Sequence, residues 1–225
     1  MGELSEVTVR VGERAGEVSA LLDRPERARA LLVLAHGAGA GMRHAFLESV
    51  SARLVAAGIA VFRYQFPYRE QGRRAPDPPA VLTATVRAAI DAAAVAAPGL
   101  PVFAGGKSLG GRMTSTAAAE RTLAGVRGVV FFGFPLHAPG KPADTRAAHL
   151  REVALPMLFL QGTRDTLADL AQLRPAIAAL GERAQLYVVD GADHGFHVLK
   201  RSGRNDAQVL DEICARASGW IESKL

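Results

Sequence analysis

A serine at position 108 stands between two glycines, in the sequence Gly-Lys-Ser-Leu-Gly that begins at Gly106. An apolar run, Pro101 to Gly105, precedes this sequence, and an alanine-rich segment that favours a helix, Arg112 to Arg121, follows it. A serine in a tight strand-to-helix turn is a nucleophile elbow, in which the glycines leave room for the adjacent helix and strand. The pattern predicts that Ser108 attacks a carbonyl carbon and that the N–H of Leu109, at a helix N-terminus, stabilises the resulting oxyanion.

A nucleophilic serine needs a histidine to take its proton, and that histidine needs a carboxylate to fix its tautomer. Two later loops supply these groups. Asp165 follows the apolar run Leu155 to Gln161, and His194 follows the run Ala184 to Val189. Because open α/β sheets place their sites at the carboxyl ends of the strands, the sequence predicts a catalytic triad of Ser108, Asp165 and His194 at one sheet edge.

A second oxyanion donor is expected from the glycine-rich loop His36 to Gly41, which follows the buried apolar run Arg29 to Ala35. Its small residues would let the backbone approach a substrate carbonyl closely. We expect the N–H of Ala38 to be the donor, with Gly39 as the alternative. His36 is predicted to be structural and to hydrogen-bond this loop.

Each triad residue also has a structural alternative. Ser108 could cap the helix that follows it, since serine is a favourable N-cap residue. Asp165 could be a turn or cap residue, with Asp169 and Asp193 as rival acids, and His194 could be a surface histidine. Asp193 adjoins His194 in the chain and is expected to point away from it.

Basic side chains near the expected mouth could attract an anionic acyl group. The alternative is that an arginine-rich composition places arginines everywhere. Tyr64, next to the apolar segment Phe66 to Tyr68, could supply an apolar wall, although core packing explains Phe66 equally well. The candidate substrate-binding residues are Gly39, Arg43, Tyr64 and Lys107. Further basic candidates are Arg69, Arg73, Arg74, Arg112 and Lys141.

The composition suits a single domain over residues 1–225, since 49% of the chain is hydrophobic. The formal net charge is +5, but only four of the 27 basic residues are lysines and no basic run contains aromatics, so we expect no nucleic-acid binding. We expect no membrane association, since no apolar run approaches about 18 residues. The lone Cys214 and the absence of a signal-peptide pattern predict a cytoplasmic protein. His197 near His194 forms no metal site with other ligands, and no cofactor is implied.

Apolar runs alternate with helical segments along the whole chain. This order predicts an α/β fold with a mainly parallel sheet, helices on both faces and an N-terminal hairpin. Predicted strands are Val7 to Val11, Val18 to Leu22, Arg29 to Ala35, Ile59 to Phe66, Pro101 to Gly105, Val126 to Phe134, Leu155 to Gln161 and Ala184 to Val189. Predicted helices are Ala45 to Ala57, Ala80 to Ala97, Arg112 to Arg121, Asp169 to Leu180 and Asn205 to Leu225, with a proline-rich loop over Arg69 to Pro79.

Nearly the whole chain resembles the small serine α/β-hydrolases of the dienelactone-hydrolase-like kind, and most closely the compact branch of testis-expressed and non-specific-lethal-complex subunit homologues. The residues that carry the resemblance are His36 to Ala40, Gly106 to Gly111, Gln161 to Asp165 and Gly191 to Phe196. The resemblance implies the same triad. Dienelactone hydrolases proper use a cysteine nucleophile, so lactone specificity does not carry over.

Many proteins of this kind insert a helical cap, but only Pro135 to Ala154 are available for one here. We therefore predict an α/β-hydrolase fold with no cap domain and an open site that takes a small-molecule ester. The expected reaction is hydrolysis of an ester or thioester through an acyl-enzyme. An acyltransferase, a peptidase and a non-catalytic interaction module remain alternatives, and the sequence does not decide whether the chain forms a homo-oligomer.

Overall fold

The computed structural model describes residues 2–13, 15–138, 140–141, 143 and 145–225. Within these residues, eight strands form a single sheet. They are β1 (Glu3–Gly12), β2 (Gly16–Arg24), β3 (Ala30–Ala35), β4 (Ile59–Tyr64), β5 (Val102–Lys107), β6 (Val126–Phe132), β7 (Met157–Gly162) and β8 (Ala184–Val189). Their order across the sheet is β1-β2-β4-β3-β5-β6-β7-β8.

The sheet is antiparallel at one end and parallel over the rest. Strands β1 and β2 form the predicted hairpin, and β2 pairs antiparallel with β4. From β4 across to β8 every neighbouring pair is parallel. All residues of β3, β4 and β7 are buried, because these strands are covered on both faces and their apolar runs leave no polar side. This arrangement confirms the predicted mainly parallel sheet.

Helices cover both faces of the sheet. They are α1 (Ala45–Ala56), α2 (Pro67–Glu70), α3 (Pro79–Ala96), α4 (Leu109–Glu120), α5 (Leu170–Ala178) and α6 (Asp206–Glu222). Apolar residues of α1 and α6 form one core cluster with one face of the sheet, and those of α3, α4 and α5 form another with the opposite face. A capping box at Asn205 and Gln208 fixes the start of α6.

Two segments predicted as loops contain short helices. Helix α2 begins at Pro67, where the fixed φ of proline and its missing N–H suit the first helical position. A 3₁₀ helix, Thr145–Glu152, lies between β6 and β7. Pro139 and Pro142 of the same connection lie outside the described residues. The connection contains no other helix in its described part, so the described residues form no lid over the site.

Helix α3 is long and apolar enough, by length and composition, to cross a membrane. No segment of this kind was predicted from the sequence. Leu82, Val86 and Ile90 of α3 are buried in the core of the protein. The apolar character of this face is therefore explained by packing against the sheet and α4.

Replacing Gly105 by alanine will destabilise the protein by about 3 kcal/mol. A Cβ at Gly105 would lie 2.0 Å from the carbonyl oxygen of Val130, which belongs to the backbone of the neighbouring strand. Urea titration should show a lower unfolding midpoint. The matched control is Gly219→Ala in α6, where an added Cβ meets nothing within 4 Å. Its free energy of unfolding should rise by about 0.5–1 kcal/mol, because alanine is more stable than glycine within a helix. Equal midpoints for the two variants would contradict the clash.

Candidate active site

Ser108 lies in a strained turn between β5 and α4. Its backbone has φ 52° and ψ −115°, a conformation that side-chain-bearing residues rarely adopt and that costs about 1–3 kcal/mol. A Cβ on Gly106 or on Gly110 would lie 2.6 Å from the carbonyl oxygen of Ala35 in β3. The two glycines are therefore required for close packing, as the elbow pattern predicts. Helix α4 begins at Leu109 rather than at Arg112, so it follows the serine at once.

The structure brings the three predicted triad residues together. His194 Nε2 lies 2.9 Å from Ser108 Oγ, and His194 Nδ1 lies 2.7 Å from Asp165 Oδ2. The Asp165 side chain is fully buried. Because a carboxylate can only accept, Nδ1 carries the proton and Nε2 is free to accept from the serine hydroxyl. This arrangement suits proton removal from Ser108.

Gln161, the fifth residue of β7, holds the acid in place. Its side-chain amide donates to Asp165 Oδ2 over 2.5 Å, and its Oε1 accepts from the backbone N–H of Phe134 over 2.9 Å. The N–H of Leu167 donates to the other carboxylate oxygen of Asp165. This role of Gln161 was not predicted from the sequence. The available signal was a polar residue, completely buried here, near the end of an apolar strand.

The rival acids have structural roles. Asp169 is the N-cap of α5 and accepts from the N–H of Ala171. Asp193 Oδ1 accepts two N–H groups of its own loop, including that of His197. His197 in turn bonds Asp206 at the start of α6, and this hydrogen bond raises the pKa of His197. Among the described residues, no group of three or more His, Cys, Asp or Glu side chains could hold a metal ion.

The glycine-rich loop after β3 is held by buried side chains. His36 Nδ1 donates to the carbonyl of Gly37 over 2.8 Å, and His36 Nε2 accepts from the N–H of Phe66 over 3.1 Å. Burial lowers the pKa of His36 to about 4, although its bond to the Gly37 carbonyl opposes this, so the imidazole stays neutral. The hydroxyl of Tyr68 donates to the carbonyl of Ala38 over 2.8 Å. These bonds fix the loop beside Ser108.

The N–H of Ala38 has no backbone hydrogen-bond partner among the described residues. The N–H of Leu109 is the first of helix α4, a position that has no partner within the helix. A Cβ on Gly37 would lie 3.7 Å from Ser108 Cβ, which shows how closely the loop approaches the serine. Both N–H groups are thus unpaired at the site where the sequence predicts an oxyanion. The N–H of Gly39 is unpaired as well, so the choice between Ala38 and Gly39 stays open.

An open cavity of about 420 Å³ contains the nucleophile and the base. Of the predicted substrate-binding residues, Gly39 and Lys107 line it. Its apolar wall comes from Phe46, Leu47 and Leu167, which the sequence analysis did not single out. The full lining is Gly37, Ala38, Gly39, Ala40, His44, Phe46, Leu47, Lys107, Ser108, Leu167, His194 and Gly195.

Two predicted substrate-binding residues lie elsewhere. Tyr64 is buried, because β4 is an interior strand, and its ring packs against Phe66 with centroids 5.5 Å apart. Arg43 is exposed and forms an ion pair with Glu6 of β1. Neither residue lines the cavity, so the structure does not bring them to the nucleophile and the base. Arg73, one of the further basic candidates, is paired with a carboxylate close by in its own loop.

The family described as an alpha/beta hydrolase domain matches this chain over residues 28–222. The chain belongs to the α/β-hydrolase family. A solved dienelactone hydrolase from Anabaena variabilis is 25% identical to this α/β-hydrolase, with a TM-score of 0.79 over 100% of this chain and 99% of the other. The predicted fold is thereby confirmed.

Two further solved structures share the fold of this α/β-hydrolase. One, from Xanthomonas campestris, is described as an α/β serine hydrolase without a lid; it is 19% identical, with a TM-score of 0.72 over 95% and 94% of the two chains. The other is a cold-adapted esterase from an Arctic intertidal metagenomic library, 18% identical, with a TM-score of 0.70 over 100% and 94%. The absence of a cap in the described part of this chain agrees with the first of them.

Replacing Gln161 by leucine will lower both stability and activity of this α/β-hydrolase. The change leaves the N–H of Phe134 unpaired in the interior, at a cost of about 1–3 kcal/mol, and frees the carboxylate of Asp165 to turn. We expect kcat for hydrolysis to fall about 10-fold through loss of orientation. Urea titration and steady-state kinetics measure the two effects. Gln185→Leu, at an exposed position of β8, should change neither, and equal behaviour of the two variants would refute the role.

Proposed function

We propose that this α/β-hydrolase is a serine esterase, of the carboxylesterase or thioesterase type. The observation that supports it most directly is the continuous hydrogen-bonded line from Ser108 Oγ through His194 to Asp165, with distances of 2.9 and 2.7 Å. A structural serine has no need of a base at this distance in a strained turn. The unpaired N–H groups beside it add the second requirement of acyl transfer.

In the proposed reaction, Ser108 Oγ attacks the carbonyl carbon of the ester while His194 Nε2 takes its proton. The carbonyl oxygen becomes an oxyanion held by the N–H groups of Leu109 and Ala38. Asp165 stabilises the imidazolium and keeps its orientation. The tetrahedral intermediate collapses, and His194 returns the proton to the leaving alcohol or thiol. A water molecule, activated by His194, then releases the acid from the acyl-enzyme.

The cavity supports a small or extended substrate. It is open and partly apolar, with Phe46, Leu47 and Leu167 in its wall. Without a lid in the described chain, nothing encloses a long acyl chain. The proposed partner is therefore a small-molecule ester, and the mechanism uses no cofactor. Preference for an anionic acyl group stays a prediction.

The proposal extends to two finer points. The chain would belong with the compact branch that the sequence resembles, which its short connection between β6 and β7 supports. It would act in the cytoplasm without binding nucleic acid or membranes, as the single, buried Cys214 and the absence of a basic aromatic-rich run suggest.

A fluorophosphonate probe tests the function. The purified protein would be labelled, the adduct located by mass spectrometry, and hydrolysis of p-nitrophenyl esters of increasing chain length measured. We expect an adduct on Ser108 that is lost in Ser108→Ala and in His194→Ala, together with turnover of short esters. No adduct in a folded protein would favour the interaction module. An adduct without ester turnover would favour the acyltransferase or the peptidase.

A further inference from the structure

Lys107 connects the nucleophile elbow to the loop that carries the base. It is the last residue of β5 and directly precedes Ser108. Its ammonium nitrogen, Nζ, donates to the backbone carbonyl oxygen of His194 over 2.5 Å. The Lys107 side chain thus links the backbone next to Ser108 with the backbone of His194.

The space around the ammonium group is built by residues from three other segments. Gly133, just after β6, has φ 73°, and a Cβ there would lie 3.0 Å from Lys107 Nζ and 3.4 Å from His194 Nδ1. The rings of Phe46 and Phe196 have their centroids 5.7 and 5.6 Å from Nζ, within the range of cation–π attraction. The amine of Lys107 and the imidazole of His194 therefore both pack closely against Gly133, and a side chain at position 133 would press on both.

Lys107 is partly buried in the wall of the cavity. Burial lowers its pKa to about 8, and the carboxylates of Asp165 and Asp193 partly oppose that change. A partly buried ammonium group loses some of its hydration, so we expect its charge-assisted hydrogen bond to the His194 carbonyl to be strong. The His194 side chain is itself 23% exposed, which leaves its outer side without packing support.

We propose that Lys107 is a positioning residue that holds His194 at hydrogen-bonding distance from Ser108. The inference rests on the proposed esterase function. It differs from the predicted substrate-binding role, because the amine is already engaged by a backbone carbonyl and two aromatic rings. Without this anchor the His194 loop can move outwards, and a displacement of about 1 Å at a reacting group can lower the rate up to about 100-fold.

The first test replaces Lys107 by methionine, which preserves length and removes the charge and the donor. With a neutral short p-nitrophenyl ester, we expect kcat to fall about 10- to 100-fold while KM changes less than about twofold. Lys200→Met, at an exposed lysine that does not line the cavity, is the matched control and should behave as the unaltered protein.

The second test restores the ammonium group chemically. In a Lys107→Cys variant, the thiolate displaces bromide from 2-bromoethylamine and forms a thioether that ends in an ammonium group. Cys214 is buried, and burial raises its pKa to about 12, so it should escape alkylation; a Cys214→Ser background verifies this. We expect the ethylamine adduct to recover most of kcat. Alkylation with iodoacetamide, which adds a neutral amide, should recover much less.

Three results would overturn the inference. The first is an unchanged kcat in a folded Lys107→Met protein. The second is a loss confined to carboxylated esters and expressed in KM, which would assign Lys107 to substrate binding. The third is a crystal structure of Lys107→Met in which His194 Nε2 keeps its hydrogen bond to Ser108. The crystal structure tests the positioning role independently of activity. Failure of the unaltered protein to react with fluorophosphonate would refute the proposed function but not the positioning role.

Discussion

Replacing Ser108 by alanine will lower kcat for ester hydrolysis by about six orders of magnitude. The change removes the only oxygen within hydrogen-bonding distance of His194 Nε2 in the described chain, so no acyl-enzyme can form. The oxyanion donors and the cavity remain, and we expect a small residual rate above that of water. The free energy of unfolding should change little, because alanine keeps the Cβ and the strained backbone. Steady-state kinetics and thermal unfolding followed by circular dichroism measure both quantities.

Ser115, a serine within α4, provides the matched control. Ser115 Oγ lies 2.8 Å from His149 Nε2, so it also has a histidine partner, but Ser115 is fully buried and does not line the cavity. Ser115→Ala should cost about 1 kcal/mol of stability and leave kcat unchanged. Loss of activity in Ser115→Ala with retention in Ser108→Ala would move the nucleophile and overturn the proposed mechanism.

Replacing Asp165 by asparagine will lower kcat by about 10⁴-fold without removing the fluorophosphonate-reactive serine. The amide can donate to His194 Nδ1, which then carries no proton, and the proton moves to Nε2. In that tautomer Nε2 can no longer accept from Ser108. If the new NH2 group takes the place of Asp165 Oδ2, it also faces the side-chain NH2 group of Gln161. A donor then lies opposite a donor, and the hydrogen bond from Gln161 is lost. Kinetics with a p-nitrophenyl ester and the rate of fluorophosphonate labelling report the effect.

Asp193→Asn is the matched substitution for this test. Asp193 uses Oδ1 to accept N–H groups of its own loop, and an asparagine oxygen can accept the same bonds. We expect the kcat of Asp193→Asn to stay within about twofold of that of the unaltered protein, because the substitution removes no interaction with the reacting atoms. A large loss in Asp193→Asn with normal kinetics in Asp165→Asn would make Asp193 the orienting acid.

The sequence predicted those parts of the site that depend on local backbone chemistry. The glycines beside Ser108 identify a tight turn, and the positions of Asp165 and His194 after buried runs identify loops at the same sheet edge. None of these inferences required knowledge of side-chain directions. The same holds for the parallel sheet, because its continuous apolar runs differ from the alternating pattern of a half-exposed strand.

The parts that could not be predicted depend on contacts between distant segments. Tyr64 was expected in an apolar wall together with the segment Phe66 to Tyr68, but β4 is an interior strand and the ring of Tyr64 is buried in the core. The role of Gln161 depends on Phe134 lying within reach, and that of Lys107 on the His194 carbonyl. Spacing along a chain gives the edge at which a residue lies, and tertiary packing decides what its side chain contacts.

Because Ser108 has a positive φ, selection for stability and selection for reactivity favour different residues at position 108. Glycine adopts this backbone conformation without penalty, so Ser108→Gly should raise the free energy of unfolding by part of the roughly 1–3 kcal/mol stored in the turn. A library randomised at position 108 and sorted for heat resistance would enrich glycine. The same library sorted for covalent labelling would return serine. Engineering this chain for thermal stability must therefore leave position 108 unchanged, because the substitution there that stabilises the fold most also removes the reactive serine.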